Sequence, residues 1–218
     1  MALKTTRLQS LDALRGFDMF WIMGAEGIIH SIKDTTSWGW AVWMSTQLDH
    51  VQWNGFRFYD LIFPLFLFLS GVTMPFSLSR QMEKGIPKKQ IYWHVIKRGL
   101  ILVLLGCIYN GLLQFDFTHQ RYASVLAQIG VAYVLAAIIF LNTKWKGQVA
   151  WVIGIVLGYW AMMKLIPVPG FGPGVLTREG SLVTWIDQLL LPGRMHEEIF
   201  DPEGLLVKIP ATATALMG

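Results

Sequence analysis

The chain has 218 residues, of which 54% are apolar and only 15% charged, with a formal net charge of +4 and a mean hydropathy of +0.46. A soluble globular domain carries about 25% charged residues, so this composition excludes one and points to an all-α bundle in a lipid bilayer. The basic excess follows from the loop bias of such proteins and calls for no nucleic acid.

In chain order, the first apolar segment covers residues 13–29 and contains Arg15, Asp18 and Glu26. Arg15 can snorkel to the inner surface, whereas Asp18 and Glu26 must face protein or water. Lys4 and Arg7 resemble the start of a secretory signal, but Arg15 and Asp18 interrupt the apolar run behind them. An aromatic connector with Trp38, Trp40, Trp43 and Trp53 is expected to lie at the headgroup level. The second span covers residues 61–79, where 19 consecutive positions carry no charge; at 1.5 Å per residue that is roughly 28 Å, the thickness of a hydrocarbon core. Pro64, Gly71 and Pro75 predict a bent helix there.

A basic loop over 79–98 follows, carrying Arg80, Lys84, Lys88, Lys89, Lys97 and Arg98 against one acid, Glu83. Three more spans are expected at 99–115, 122–142 and 147–163. The Gly/Pro-rich run 168–174 reads as a turn-rich external loop. Apolar character resumes at Leu205 and continues to Gly218, 14 residues or roughly 21 Å of helix, too short to cross. The expectation is thus a polytopic transmembrane helical bundle of five full spans plus the start of a sixth, forming a single domain over 1–218 that is incomplete at its C-terminal end. With the N-terminus inside, the inner segments hold 11 Lys/Arg in 41 residues and the outer ones 6 in 77, as the positive-inside rule requires.

The single cysteine, Cys107, excludes an intrachain disulfide, and no thiol or zinc-type metal spacing is present. There is no P-loop, GxSxG elbow or GxGxxG fingerprint. The densest polar group near a span is His50-Val-Gln-Trp53-Asn54-Gly-Phe-Arg57-Phe-Tyr-Asp60, which opens the second span at its outer end. His50 and Trp53 alone read equally well as interfacial anchors, but anchoring does not explain why Asn54 and Asp60 crowd beside them. Polar side chains this close to lipid mark a site by default.

The pattern His50-x-x-Trp53-Asn54-Gly55-x-x-x-x-Asp60-Leu-x-Phe-Pro64 resembles the signature of the heparan-α-glucosaminide N-acetyltransferase family and its bacterial relatives. Three other stretches agree in order: Arg7-x-x-Ser10-Leu11-Asp12-x-x-Arg15-Gly16, Arg121-x-x-x-Val125-Leu126-x-x-Ile129-Gly130-x-x-Tyr133, and Asp201-Pro202-Glu203-Gly204-Leu205-Leu206. The chain departs from the family at Ala127-Gln128, where Gln-Arg is common. The resemblance implies acetyl transfer from cytoplasmic acetyl-CoA to the amine of a terminal amino sugar across the membrane, an inner-membrane location if the source is bacterial, and His50 as the active histidine. Imidazole suits base or acyl-carrier duty, Asn54 can donate to the oxyanion, and Asp60 can fix the tautomer of His50. Arg15, Lys88, Lys89 and Arg98 are the candidate contacts to the coenzyme's phosphates, the basic loop reading otherwise as a solvated topogenic loop. Asp12, Arg15 and Asp18 read equally well as a structural ion-pair set. A transporter or channel without acyl chemistry remains the competing class, since Asp18 and Glu26 would also suit an ion path. The acceptor sugar, self-association into a homodimer, and ping-pong against direct transfer stay open.

Overall fold

The computed structural model describes residues 9–196 and 198–218; Lys4, Arg7 and Glu197 lie outside the described residues. They fall into two compact units, one up to Leu69 and one from Ser70 onward. The described residues are mostly helical, the one sheet among them being a two-stranded hairpin.

In the first unit, α1 (Gln9–Phe20) leads through a π-type turn, Trp21–Ala25, into α2 (Glu26–Thr36). Gly24 sits at φ +103° in that turn, a conformation that L side chains rarely adopt, and it breaks the expected first span in two. Neither α1 nor α2, at 12 and 11 residues or roughly 17 Å each, is long enough to cross alone. The connector is not irregular: it contains α3 (Gly39–Leu48), which packs back on α2 and exposes Trp38, Trp40 and Trp43. A 3-10 turn, Phe58–Leu61, then starts α4 (Ile62–Glu83), which runs unbroken through Pro75.

In the second unit, α5 (Lys88–Tyr109), α6 (Val125–Asn142) and α7 (Trp145–Leu165) follow. Together with the Phe58–Glu83 segment they are, among the described residues, the four helices long and apolar enough to cross a membrane, against the five spans expected. No residue of α7 is buried, yet Trp151, Ile153, Leu157 and Trp160 are exposed on it. A helix apolar on all its faces needs an apolar surrounding, and lipid supplies it. The protein is an integral membrane protein.

The basic loop turns out to be mostly helix. Only the stretch around Gly85–Pro87 interrupts it, and Lys88 to Arg98 form the first three turns of α5. Lys, Arg and Gln are good helix formers, so loss of hydrophobicity here did not mean loss of helix. The Gly/Pro run folds into a tight antiparallel hairpin pairing β1 (Pro167–Val168) with β2 (Gly172–Pro173). Beyond it lie α8 (Leu182–Leu190), capped by Ser181 accepting from the Thr184 N–H, and α9 (Lys208–Met217), which packs on α6 and α7.

Packing between α5 and α6 rests on small residues. A Cβ placed on Gly130 would lie 2.8 Å from the Gly99 carbonyl oxygen, and one on Gly99 would lie 2.3 Å from Val134 Cγ2. Such close backbone approach is how membrane helices gain contact where lipid removes the hydrophobic drive. The start of α6 is tied down by charge. Arg121 donates from Nε to Asp201 Oδ2 at 2.7 Å and from Nη2 to Asp201 Oδ1 at 2.6 Å, and Nη2 also meets Glu203. Asp201 is fully buried and accepts the His196 and Glu203 N–H groups as well. Burial works to raise its carboxyl, but the Arg121 fork outweighs that and holds it below the usual range, while Glu203 is pushed up, chiefly by burial.

Two consequences are measurable. Gly130→Val should lower the thermal midpoint in detergent markedly, whereas Gly158→Val, whose Cβ would meet nothing within 4 Å, should leave it unchanged; equal midpoints would refute the close contact. Arg121→Met should cost about 3–5 kcal/mol because it strands a buried carboxylate, and adding Asp201→Leu should recover much of the loss. Denaturant midpoints of the single and double variants decide this.

Candidate active site

The site lies within the first unit, where the chain leaves α3 and returns to start α4. Residues 49–57 have no regular structure. Gly55, at φ +141°, supplies the backbone conformation that folds the segment back. The result is that His50 and Asp60, ten residues apart, meet: Nδ1 of His50 is 2.8 Å from Oδ1 of Asp60. The other carboxylate oxygen, Oδ2, accepts the Arg57 N–H at 2.9 Å, and Asp60 N–H donates to the Arg57 carbonyl at 3.1 Å. Arg57 Nη1 closes the loop by donating to the His50 carbonyl at 3.1 Å. The edge of Tyr59 packs on the imidazole, with centroids 4.8 Å apart at 66°.

This geometry separates an accessible worker from a held partner. The His50 side chain is 69% exposed and that of Asp60 23%. A carboxylate on Nδ1 keeps the neutral ring's proton there, which leaves the lone pair on Nε2. Nε2 is then free to take a proton or an acyl group.

The third predicted member, Asn54, is exposed and makes no hydrogen bond among the described residues, so its amide stays available. Of the candidate coenzyme contacts, Arg15 is half-buried on α1 in the first unit. Lys88 and Lys89 are exposed at the N-terminal end of α5, which follows Pro87. Arg98 is three turns further along α5, its guanidinium 4.7 Å from the Tyr133 ring centroid. Asp18 is fully buried, yet neither carboxylate oxygen has a partner among the described residues. It therefore forms no ion pair with Arg15, and the alternative of a structural set over Asp12, Arg15 and Asp18 loses that member.

Tyr59 and Trp21 were not singled out from sequence, and Glu26 was not placed in the site. The Tyr59 hydroxyl is within hydrogen-bonding reach of the Glu26 carboxylate, whose Oε2 is buried and unpartnered among the described residues. Trp21 joins them: it belongs to the buried cluster with Ala25, Leu48 and Ile62 against which Tyr59 packs, and its Nε1 is also unpartnered. An acid inside an apolar segment was the signal for Glu26, but nothing local tied it to Tyr59.

A second His–Asp pair exists in the other unit. His119 Nδ1 lies 2.8 Å from Asp116 Oδ2, and Thr118 and His119 together hold the Asp116 carboxyl at about 2. It is a three-residue turn contact with both partners exposed, set by local chain geometry alone.

Comparison with known proteins does not separate the two pairs, since both fall in the matched region. The family model described as "Heparan-alpha-glucosaminide N-acetyltransferase, catalytic" matches residues 7–187. The human heparan-alpha-glucosaminide N-acetyltransferase is 27% identical, over 78% of this chain and 33% of its own length; the mouse protein is 25% identical over the same shares. The chain spans about a third of the length of these curated relatives. With more than four-fifths of its residues inside the family model, the chain belongs to the heparan-alpha-glucosaminide N-acetyltransferase catalytic family.

Proposed function

We propose that residues 1–218 form one acyltransferase domain that moves an acetyl group from cytoplasmic acetyl-CoA to the amine of an amino sugar on the outer face of the membrane. The observation that carries this reading is the His50–Asp60 pair at 2.8 Å with the His50 side chain exposed, in a chain of an acetyltransferase family.

An ammonium group is no nucleophile, so the acceptor must lose a proton before or as it attacks the thioester carbonyl. Nε2 of His50 takes that proton in direct transfer; in a double displacement the same nitrogen takes the acetyl group, releases the thiolate, and passes the acetyl to the amine. In both routes the tetrahedral carbon carries an oxyanion, and the unengaged Asn54 amide is the donor at hand. Asp60 keeps the ring in the useful tautomer and stabilises the imidazolium once it forms. Lys88, Lys89 and Arg98 meet the coenzyme's phosphates on the cytoplasmic side, Lys88 and Lys89 aided by the positive end of α5, and Arg15 is a separate candidate contact in the first unit. In the bilayer, the broken α1–α2 segment crosses as the first of five spans, with the N-terminus inside. A transporter without chemistry would give the tautomer-fixing carboxylate no purpose.

Two measurements test the reading. His50→Ala should cut acetyl transfer to glucosamine by about 10²–10⁴-fold, the usual range for a general base, with acetyl-CoA affinity nearly unchanged, while His119→Ala should transfer normally. Near-normal turnover in His50→Ala would return the residue to interfacial anchoring. For orientation, Lys88→Cys and Glu179→Cys, each in a Cys107→Ser background, should label with an impermeant thiol reagent from opposite sides. Both positions are exposed, and labelling from one side would overturn the topology.

A further inference from the structure

The imidazole of His30 on α2 grips α3 at two points one turn apart. Its Nδ1 lies 2.7 Å from Oγ of Ser45, which is 1% exposed, and its Nε2 lies 3.5 Å from Oδ1 of Asp49. In the neutral ring the proton sits on Nε2 toward the carboxylate, and Nδ1 accepts the Ser45 hydroxyl. This looks like a serine–histidine–aspartate set but cannot act as one, because a hydroxyl this deeply buried meets no acyl donor.

Its placement gives it another use. Asp49 ends α3, its N–H donating to the Ser45 carbonyl at 3.1 Å, and the next residue is His50. The far side of the active pair also leans on α3. The Gln47 side-chain oxygen accepts the Phe58 N–H at 3.4 Å, and Leu48 and Met44 pack with Ile62 and Tyr59, flanking the turn that carries Asp60. Both halves of the pair are therefore referenced to α3, one by chain continuity and one by packing. We propose that His30 is a positioning residue for the His50 site: by fixing α3 on α2 through Ser45 and Asp49, it sets the approach of His50 to Asp60. This rests on the reading of His50 as base or acyl carrier. The charged groups around His30 are Asp49 from the end of α3 and, on its own helix, Glu26 together with Lys33 and Asp34, which pair with each other at 3.7 Å. None of these competes for Nδ1, so the buried Ser45 contact is the fixed end of the link and the half-exposed Asp49 contact the weaker one.

The test uses nitrogen-15 histidine NMR on the 218-residue chain in nanodiscs, which reads the tautomer of His50 whether or not any sugar is acetylated. Wild type should show His50 in the single Nδ1–H form with a slowly exchanging proton. His30→Ala should turn that signal into the mixed tautomers of an unpaired ring with exchange faster by about tenfold or more, and His30→Asn, whose amide can still meet Ser45, should restore most of it. Ser45→Ala removes the same buried contact with little loss of volume and should reproduce the His30→Ala signature, so the test survives if His30→Ala fails to fold. Where transfer is measurable, His30→Ala should lower kcat roughly ten- to hundredfold with both KM values within about twofold, as misplacement of a reacting group does. An unchanged His50 signal in both variants overturns the proposal, including where thermal stability falls, because His30 would then only brace the hairpin. If wild type transfers no acetyl but the His50 signal still depends on His30, the acetyltransferase reading fails and the positioning stands.

Discussion

A charge inside an apolar, lipid-facing chain is costly unless a partner stands close by, and that constraint orders much of this structure. With 15% of its residues charged, the protein has few such groups; Asp18 is buried without a partner among the described residues, whereas those around Asp187 and Asp201 are held by hydrogen bonds. Asp201 takes both arms of the Arg121 fork and two backbone N–H groups. Asp187, fully buried as well, accepts the Leu205 N–H at 2.9 Å, and burial raises its carboxyl above the usual range. Lys208 turns its ammonium onto the Glu203 and Gly204 carbonyls at 2.7 and 2.6 Å. Desolvation sets the cost in each case, and hydrogen bonds to the charged form offset it. Against this background the exposed side chain of His50 stands out.

The same interaction type serves two ends, distinguished by what is buried. In the Arg121–Asp201 pair both partners are inside, at 15% and 0% exposure, so neither has anything to offer a ligand and the pair acts on the fold. In the His50–Asp60 pair the acid is the sheltered partner and the base is open to the outside. Burying the orienting carboxylate strengthens its hold on Nδ1, since a low local dielectric makes the hydrogen bond stronger. The Tyr59 ring edge against the imidazole restricts it further. An open reactive nitrogen on a ring fixed from behind is what preorganisation requires.

Much of this was legible in the sequence, and the failures share a cause. Hydropathy finds α4 to α7 because an uncharged run of bilayer length has few alternatives to a helix. It misplaces the start of α5, because Lys88 to Arg98 lose hydrophobicity without losing helix propensity. It joins α1 to α2, because Gly24 hardly alters a hydropathy window and only its positive φ breaks the helix. It leaves the polar stretch after Arg178 unassigned, although Leu182, Val183 and Leu190 with the Ser181 cap mark α8. In the site, His50 and Asp60 were within reach because they share one short loop. Glu26 with Tyr59, and His30 with Ser45, come together only once α2 and α3 fold on each other, and Arg121 finds Asp201 across 80 residues. No spacing rule carries that information.

The two His–Asp pairs show why distance alone does not identify an active histidine. Both have nitrogen and oxygen 2.8 Å apart. Asp116 and His119 belong to one turn, so their contact forms wherever that turn forms and needs nothing from the rest of the chain. His50 and Asp60 must close a ten-residue loop, which carries an entropic cost. The fold offsets that cost through Gly55, the Arg57 contacts, the packing of Leu48 against Ile62, and the hold of His30 on α3. Geometry that the tertiary structure imposes against the preference of the local chain is geometry that several elements must agree to keep. On the proposed reading of His50 as base or acyl carrier, such agreement holds its ring in place while a proton or acyl group is exchanged at the other nitrogen.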